Sequence, residues 1–317
     1  MMEGLGELPK HIVRLAPSAK RIQQSVAAMV VVPPLLGTLV ALTIALKYGL
    51  GWIELTTLAT MYLLCMLGIT IGFHRYFAHK SFETSRTFEL ALAVLGSMAA
   101  QGPLLFWVST HRSHHAFSDQ LGDPHSPNLH GSGLMGLIHG WWHAHIGWMF
   151  GGSIAEWSHF SRDLMRDRTL FRIHQQYFYW VLLGLVIPTV MGGLLGGNWR
   201  SAALGLLWGG LVRICLVNQA SWCVGSVCHL FGTHPFKTDD HSANNHLVAL
   251  VTFGEGLQNN HHAFPSAFSH AVRWWEPDLS AKVLRLLEFA RIVWDLKFPS
   301  KRVIEESRLG LPKGLSE

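Results

Sequence analysis

Four long apolar runs, at 27–46, 52–73, 177–197 and 202–223, punctuate a 317-residue chain that is otherwise polar and mixed. A helix of about 20 apolar residues crosses the hydrocarbon of a bilayer, so the pattern predicts four transmembrane helices. Short turns, Lys47-Tyr-Gly-Leu-Gly51 and Gly196-Gly-Asn-Trp-Arg200, join the runs in pairs, which makes two hairpins. Pro33 and Pro34 fall inside the first run, where they would kink or start a helix. Arg213 sits inside the fourth, and a guanidinium at that depth has to face protein or water.

The polar stretches between and after the spans carry clustered histidines. His74 and His79 directly follow the second run, and His229 follows the fourth. His111, His114 and His115 stand at i, i+3 and i+4, a spacing that puts side chains on one face of a helix. Gln258, His261 and His262 repeat that spacing. Neutral imidazole is the commonest metal ligand, and these eight histidines exceed what one metal can use. Two metals are implied, and an all-imidazole set suits iron, zinc or copper.

This reading decides how a fifth apolar stretch, 88–108, is treated. Were it to cross the membrane, the first two clusters would lie on opposite faces, about 30 Å apart. Gly102-Pro103 breaks the stretch and Glu89 lies inside it. The expectation is one interfacial or re-entrant helix up to Gln101, then a second helix, starting at Pro103, that carries His111 to His115. Four crossings leave both termini and all the clusters on one side. Only Lys47 and Arg200 mark the two turns on the other side, so the positive-inside rule makes the cluster side cytoplasmic.

Composition agrees. The chain is 49% hydrophobic and only 14% charged, against about 25% charged for soluble domains. A net charge of +5 suits an anionic membrane face rather than nucleic acid. Cys65, Cys215, Cys223 and Cys228 form no CxxC pair and read as small buried hydrophobes. Residues 1–17 lack the apolar core of a cleavable signal.

The order His-x4-His, His-x2-His-His, Gln-x2-His-His resembles the box pattern of membrane fatty-acid desaturases, in particular the bacterial acyl-CoA branch related to stearoyl-CoA desaturase. The likeness runs from about residue 70 to 277. It includes Gly72-Phe-His-Arg-Tyr-Phe-Ala-His79, His111-Arg-Ser-His-His-Ala-Phe-Ser-Asp119, Asp123-Pro-His125, Ser226-Val-Cys-His-Leu-Phe-Gly232 and Gly254-Glu-Gly-Leu-Gln-Asn-Asn-His-His-Ala-Phe-Pro265.

This resemblance implies a single all-α integral membrane domain over 1–317. Four spans would carry a cytosolic helical cap, 74–176 and 224–317, that holds a di-iron centre. It implies His74, His79, His111, His114, His115, His229, His261 and His262 as ligands, with Gln258 beside them. The implied reaction uses O2 and two external electrons to remove two hydrogens from adjacent acyl carbons, leaving a cis double bond and water. The chain has no haem or flavin motif, so the electrons would come from a separate ferredoxin or cytochrome b5-type carrier with its reductase. The implied location is a bacterial inner membrane. Asp119, Asp123 and Asn259 are candidates for orienting ligand histidines. Trp107, Trp148 and Arg112 are candidates for contacting an acyl substrate linked to CoA or lipid. Like Trp141, Trp142, Trp274 and Trp275, these tryptophans read more readily as interfacial anchors.

Two positions depart from the branch: Gln258 stands where it has His, and Gly225 where it has Asn. Both bear on the reaction outcome. The alternatives are a related di-iron hydroxylase of a lipid or alkane, and, from another class, a membrane metal-binding or transport protein. Such hydroxylases tend to have three residues between the first-box histidines; this chain has four. Transporters place ligands within their spans, whereas here the clusters flank them.

Overall fold

The computed structural model describes residues 8–308. Both chain ends lie outside these residues. A short strand β1, Ile12–Arg14, leads into α1, Pro17–Tyr48, with a proline in its first turn where the missing N–H costs nothing. Pro33 and Pro34 do not end α1, and the helix runs through them. The Thr38 hydroxyl donates to the Pro34 carbonyl at 2.8 Å. The second span, α2, is Trp52–Ala78 and continues past the apolar run through His74. Its last turns, Gly68–Ala78, are wound as a π-helix.

After β2, Glu83–Thr84, the 88–108 stretch forms two helices, α3 at Arg86–Met98 and α4 at Leu104–Phe117. Pro103 holds the cap position before α4, as the breaker reading requires. Next come α5, Gly133–His145, and β3, Ser153–Ala155. Spans three and four are α6, Tyr177–Gly196, and α7, Trp199–Ser226. The turn between them uses Gly197 at φ +66° and the Asn198 side chain, which caps the Ser201 N–H at 3.0 Å. The remainder holds α8, His246–Val251; α9, Gln258–Ala263; α10, Leu279–Phe289; and β4, Val293–Trp294.

Four helices are thus long and apolar enough to cross a membrane. The chain is mainly but not wholly helical: β1 pairs antiparallel with β3, and β2 with β4. Only 17% of the most apolar stretch is buried in α1 and in α6, against 50% in α2 and 61% in α7. The lightly buried pair is therefore the outer one, and His74, His79 and His229 sit at or just past the ends of the inner pair.

Backbone approach fixes α3 on the flank of α2. A Cβ added at Gly68 would lie 2.5 Å from the Leu95 backbone, so only glycine permits this contact. The largest apolar core then rises along α2 from Met61 and Cys65 to Phe73 and Phe77, and ends on Leu104, Leu105 and Val108 of α4. Arg213 is fully buried in α7. Its guanidinium donates to the carbonyls of Met98 at 2.8 Å, Gly184 at 2.7 Å and Gly209 at 3.2 Å. It faces protein, and its hydrogen bonds join α7 to α6 and the end of α3.

Candidate metal centre

Three helix ends bring the clustered histidines together. In α2 the π winding gives an i to i+5 hydrogen bond, His79 N–H to the His74 carbonyl, at 3.1 Å. Side chains five apart then share a face, and the His74 and His79 rings stand 4.9 Å apart. In α4 the histidines divide: His111 and His115 turn toward α2, and His114 turns toward α7. Likewise in α9, His261 goes one way and His262 the other.

Two pockets result. Ligand nitrogens of His74, His79, His111, His115 and His261 lie within 4.8 Å of one another, and so do those of His114, His229 and His262. In the first pocket the Nε2 atoms nearly meet: His79 to His111 at 2.7 Å, His261 to His115 at 2.9 Å and His261 to His74 at 3.0 Å. In the second, Nε2 of His114 and of His229 are buried and have no hydrogen-bond partner. Gln258 joins this pocket, with its amide Nε2 3.0 Å from His262 Nε2 and its Oε1 buried and unpartnered.

The outer nitrogens are tied down. Asp123 accepts from His114 Nδ1 at 3.0 Å and Asp119 from His229 Nδ1 at 2.9 Å, while Asp240 pairs with His262 Nδ1 and Glu255 with His74 Nδ1. A carboxylate on Nδ1 fixes the ring and its tautomer and aims Nε2 at a metal. Burial pushes His79, His111, His115 and His261 well below the ordinary histidine value of 6.5, and neighbouring histidines push the same way. These rings are neutral, the form that ligates. At His229 burial also lowers the value, but the Asp119 hydrogen bond and charge outweigh it and the net direction is up. Neutral, converging nitrogens and orphaned buried Nε2 atoms fit two metal ions.

Asp119 and Asp123 therefore stand where an orienting role places them. Asn259 does not touch a histidine. Its amide clamps the Phe236 backbone, accepting from the N–H at 2.8 Å and donating to the carbonyl at 3.1 Å, so it is a loop fastener. Arg112 is likewise committed elsewhere: it donates to Asp163 at 2.8 Å and to the carbonyls of Phe77, Ala78 and Phe160, which leaves little to offer a headgroup. Trp107 stacks on His111, with ring centroids 5.2 Å apart. Trp148 lines a cavity of about 380 Å³ whose wall also includes Phe106, Thr110, Ser113 and Asp123. Thr110 and Ser113 interleave with the α4 histidines, so the cavity runs beside the second pocket.

Sequence reading missed four neighbours. Glu255 and Asp240 lie in loops. Glu255 stands three residues before Gln258, inside a quoted motif, whereas Asp240 gives no local signal. His270 is buried between the rings of His261 and His74, at 4.5 and 5.2 Å, with both ring nitrogens unpartnered. His125 packs on His114 at 4.4 Å, and burial lowers it to about 3. It fills the space that Gly225 leaves open, since a Cβ there would stand 3.2 Å from His125 Nδ1.

A fold of apolar spans capped by two imidazole pockets defines a membrane protein with a metal-binding histidine centre. The family model for fatty acid desaturases matches residues 50–295, and the chain belongs to that family. It is 44% identical over 278 residues to a hex-5-enoyl-[acyl-carrier protein] acetylenase of Moorena producens, with 87% of each chain covered. It is 36% identical to an sn-1 stearoyl-lipid 9-desaturase of Anabaena variabilis, covering 74% of this chain and 80% of the relative. An acyl-CoA C20 Delta5-desaturase of Anemone leveillei is 34% identical, with 79% and 76% covered.

Proposed function

We propose that the chain is an O2-dependent di-iron desaturase that inserts a cis double bond into a saturated acyl chain. The observation that carries this reading is the division of eight histidines into two adjacent pockets, with a cavity beside the second. His74, His79, His111, His115 and His261 would hold one iron, and His114, His229 and His262, with Gln258, the other. Bound there, the irons would supply the oxidising power needed to take hydrogens from unreactive methylenes. The protein's share is placement. Asp119, Asp123, Asp240 and Glu255 hold the rings, Trp107 covers His111 against water, and the cavity wall of Phe106 and Trp148 offers an apolar path for the chain.

The relatives' names include carrier-protein, CoA and lipid acyl forms, so the acyl chain, rather than its handle, is the common element of the substrate. Two electrons would come from a ferredoxin or cytochrome b5-type carrier with its reductase. The topology proposed is two hairpins in a single domain, with the cap and active site on the cytoplasmic side of a bacterial inner membrane. The test is to feed labelled saturated acyl chains to cells expressing the protein and to locate the change by mass spectrometry. A new cis double bond that depends on His115 and His262 is expected. A hydroxylated product, or zinc as the only metal in active protein, would overturn the reading.

A further inference from the structure

The cap carries an apolar face that the described residues leave uncovered. On α8, Leu247 is 80% exposed, Leu250 63% and Val251 48%; close by, Trp274 is 95% exposed. Such a face in water would be a liability. We infer that α8 lies inside the hydrocarbon of the cap-side leaflet, with Arg273, Trp274 and Trp275 in the headgroup layer above it.

Depth carries the argument. Tyr48, Trp52 and Trp199 are exposed aromatics at the far ends of α1, α2 and α7 and mark the opposite membrane surface. Tyr62 lies ten residues along α2 from Trp52, a rise of about 15 Å, in a hydrocarbon layer about 30 Å thick. Its hydroxyl donates to the Val251 carbonyl at 2.7 Å. Helical side chains lean toward the helix N-terminus, and any tilt of α2 lowers Tyr62 further. The end of α8 is therefore held below the cap-side edge of the layer. Leu63, one residue on from Tyr62, is itself exposed, so the apolar face of α8 continues the lipid-facing surface of the span.

Several end groups of the α8 backbone are paired internally, which suits hydrocarbon. Asn245 caps the Val248 N–H at 3.1 Å, Tyr62 takes the Val251 carbonyl, and Thr252 bonds the Val248 carbonyl through both its hydroxyl and its N–H. Trp275 packs on His246 at the upper end of α8, and the Arg273 guanidinium stands 5.6 Å from the Trp275 ring. An aromatic with a cation beside it suits the phosphate level of a bilayer. From α8 the chain runs directly into Gln258, so this seat fixes the height of the third histidine cluster.

The experiment uses the full chain in nanodiscs of phosphatidylcholine and phosphatidylglycerol. Leu250→Cys is expected to react with a membrane-impermeant maleimide at least tenfold more slowly than Arg302→Cys, above the background of the native cysteines. In parallel, unmodified protein is irradiated with a phospholipid carrying a diazirine in its acyl tail, and adducts are expected on 246–251. Equal maleimide rates in the two variants would overturn the inference. So would protection that appears only when carrier protein is added or protein concentration rises, because the face would then meet a protein. Should the variants fold poorly, the native arm decides: tail adducts on α1 and α6 with none on 246–251 would refute it.

Discussion

The two histidine pockets share the ends of α4 and α9, the first adding the end of α2 and the second the turn after α7, yet they are held in different ways. In the five-histidine pocket the rings position one another. Their Nε2 atoms converge pairwise, and among the described residues only His74 has a carboxylate, Glu255, itself shared with Arg75 at 2.9 Å. In the three-histidine pocket every ring has its own carboxylate, and Gln258 fills the remaining side. Crowding in the first pocket makes the geometry a property of helix register. Carboxylates in the second make it a property of loops, with one carboxyl group behind each ring.

The sharpest way to break the contrast is His261→Ala, which removes the nitrogen approached by both His74 and His115. Turnover is expected to fall below detection and iron to drop from about two per chain to about one. Retention of both irons by elemental analysis would show that the first pocket tolerates four rings.

Next in size are the orienting carboxylates. Asp240→Asn is expected to weaken iron binding about 10–100-fold, the usual cost of losing such a partner, and Glu255→Gln to cost less, because four other rings still crowd the first pocket. Chelator competition followed by iron counting ranks the two; the reverse order would contradict the division between crowding and carboxylates.

Gln258→Leu keeps the bulk and removes the amide, and should cost most of the remaining turnover while the histidines keep most of the iron. Gln258→His should retain iron and is the variant in which to look for a changed product. Full activity in Gln258→Leu would mean that the second pocket runs on three histidines alone.

The smallest effect is on stability in acid, measured on metal-free protein. His79, His111, His115 and His261 titrate below 6.5 in the fold, so below pH 6.5 the unfolded chain binds protons that the folded chain refuses. The melting temperature is expected to fall progressively under that pH, while His229, whose value is raised, adds a smaller decline as pH climbs above it. A melting temperature that rises on acidification would contradict neutral, buried imidazoles.

Much of this was legible in the chain. The spans stood out because nearly uncharged runs of that length have few other uses, and breaking 88–108 at Gly102-Pro103 followed from asking where shared ligands must lie. The partition of each cluster between two pockets was not legible, since i, i+3, i+4 spacing says which face residues share but not what each meets. Asp240 was invisible because it reaches His262 from a loop 22 residues upstream. Asn259 and Arg112 misled because polar residues beside a site are as readily spent on backbone carbonyls as on ligands. The small β pairs were missed because two or three paired residues leave no periodic trace.

The π winding at the end of α2 turns the first box into a matter of counting. His74 and His79 share a face only because the stretch from Gly68 to Ala78 holds more residues per turn than an α-helix does. Losing any one residue from 69 to 73 would let it rewind as an α-helix, in which five steps of about 100° leave the two rings about 140° apart around the axis. Apart from Gly68 and His74, this segment should therefore accept conservative replacements while rejecting single-residue deletions, so that in diverging copies of the chain its length outlasts most of its letters.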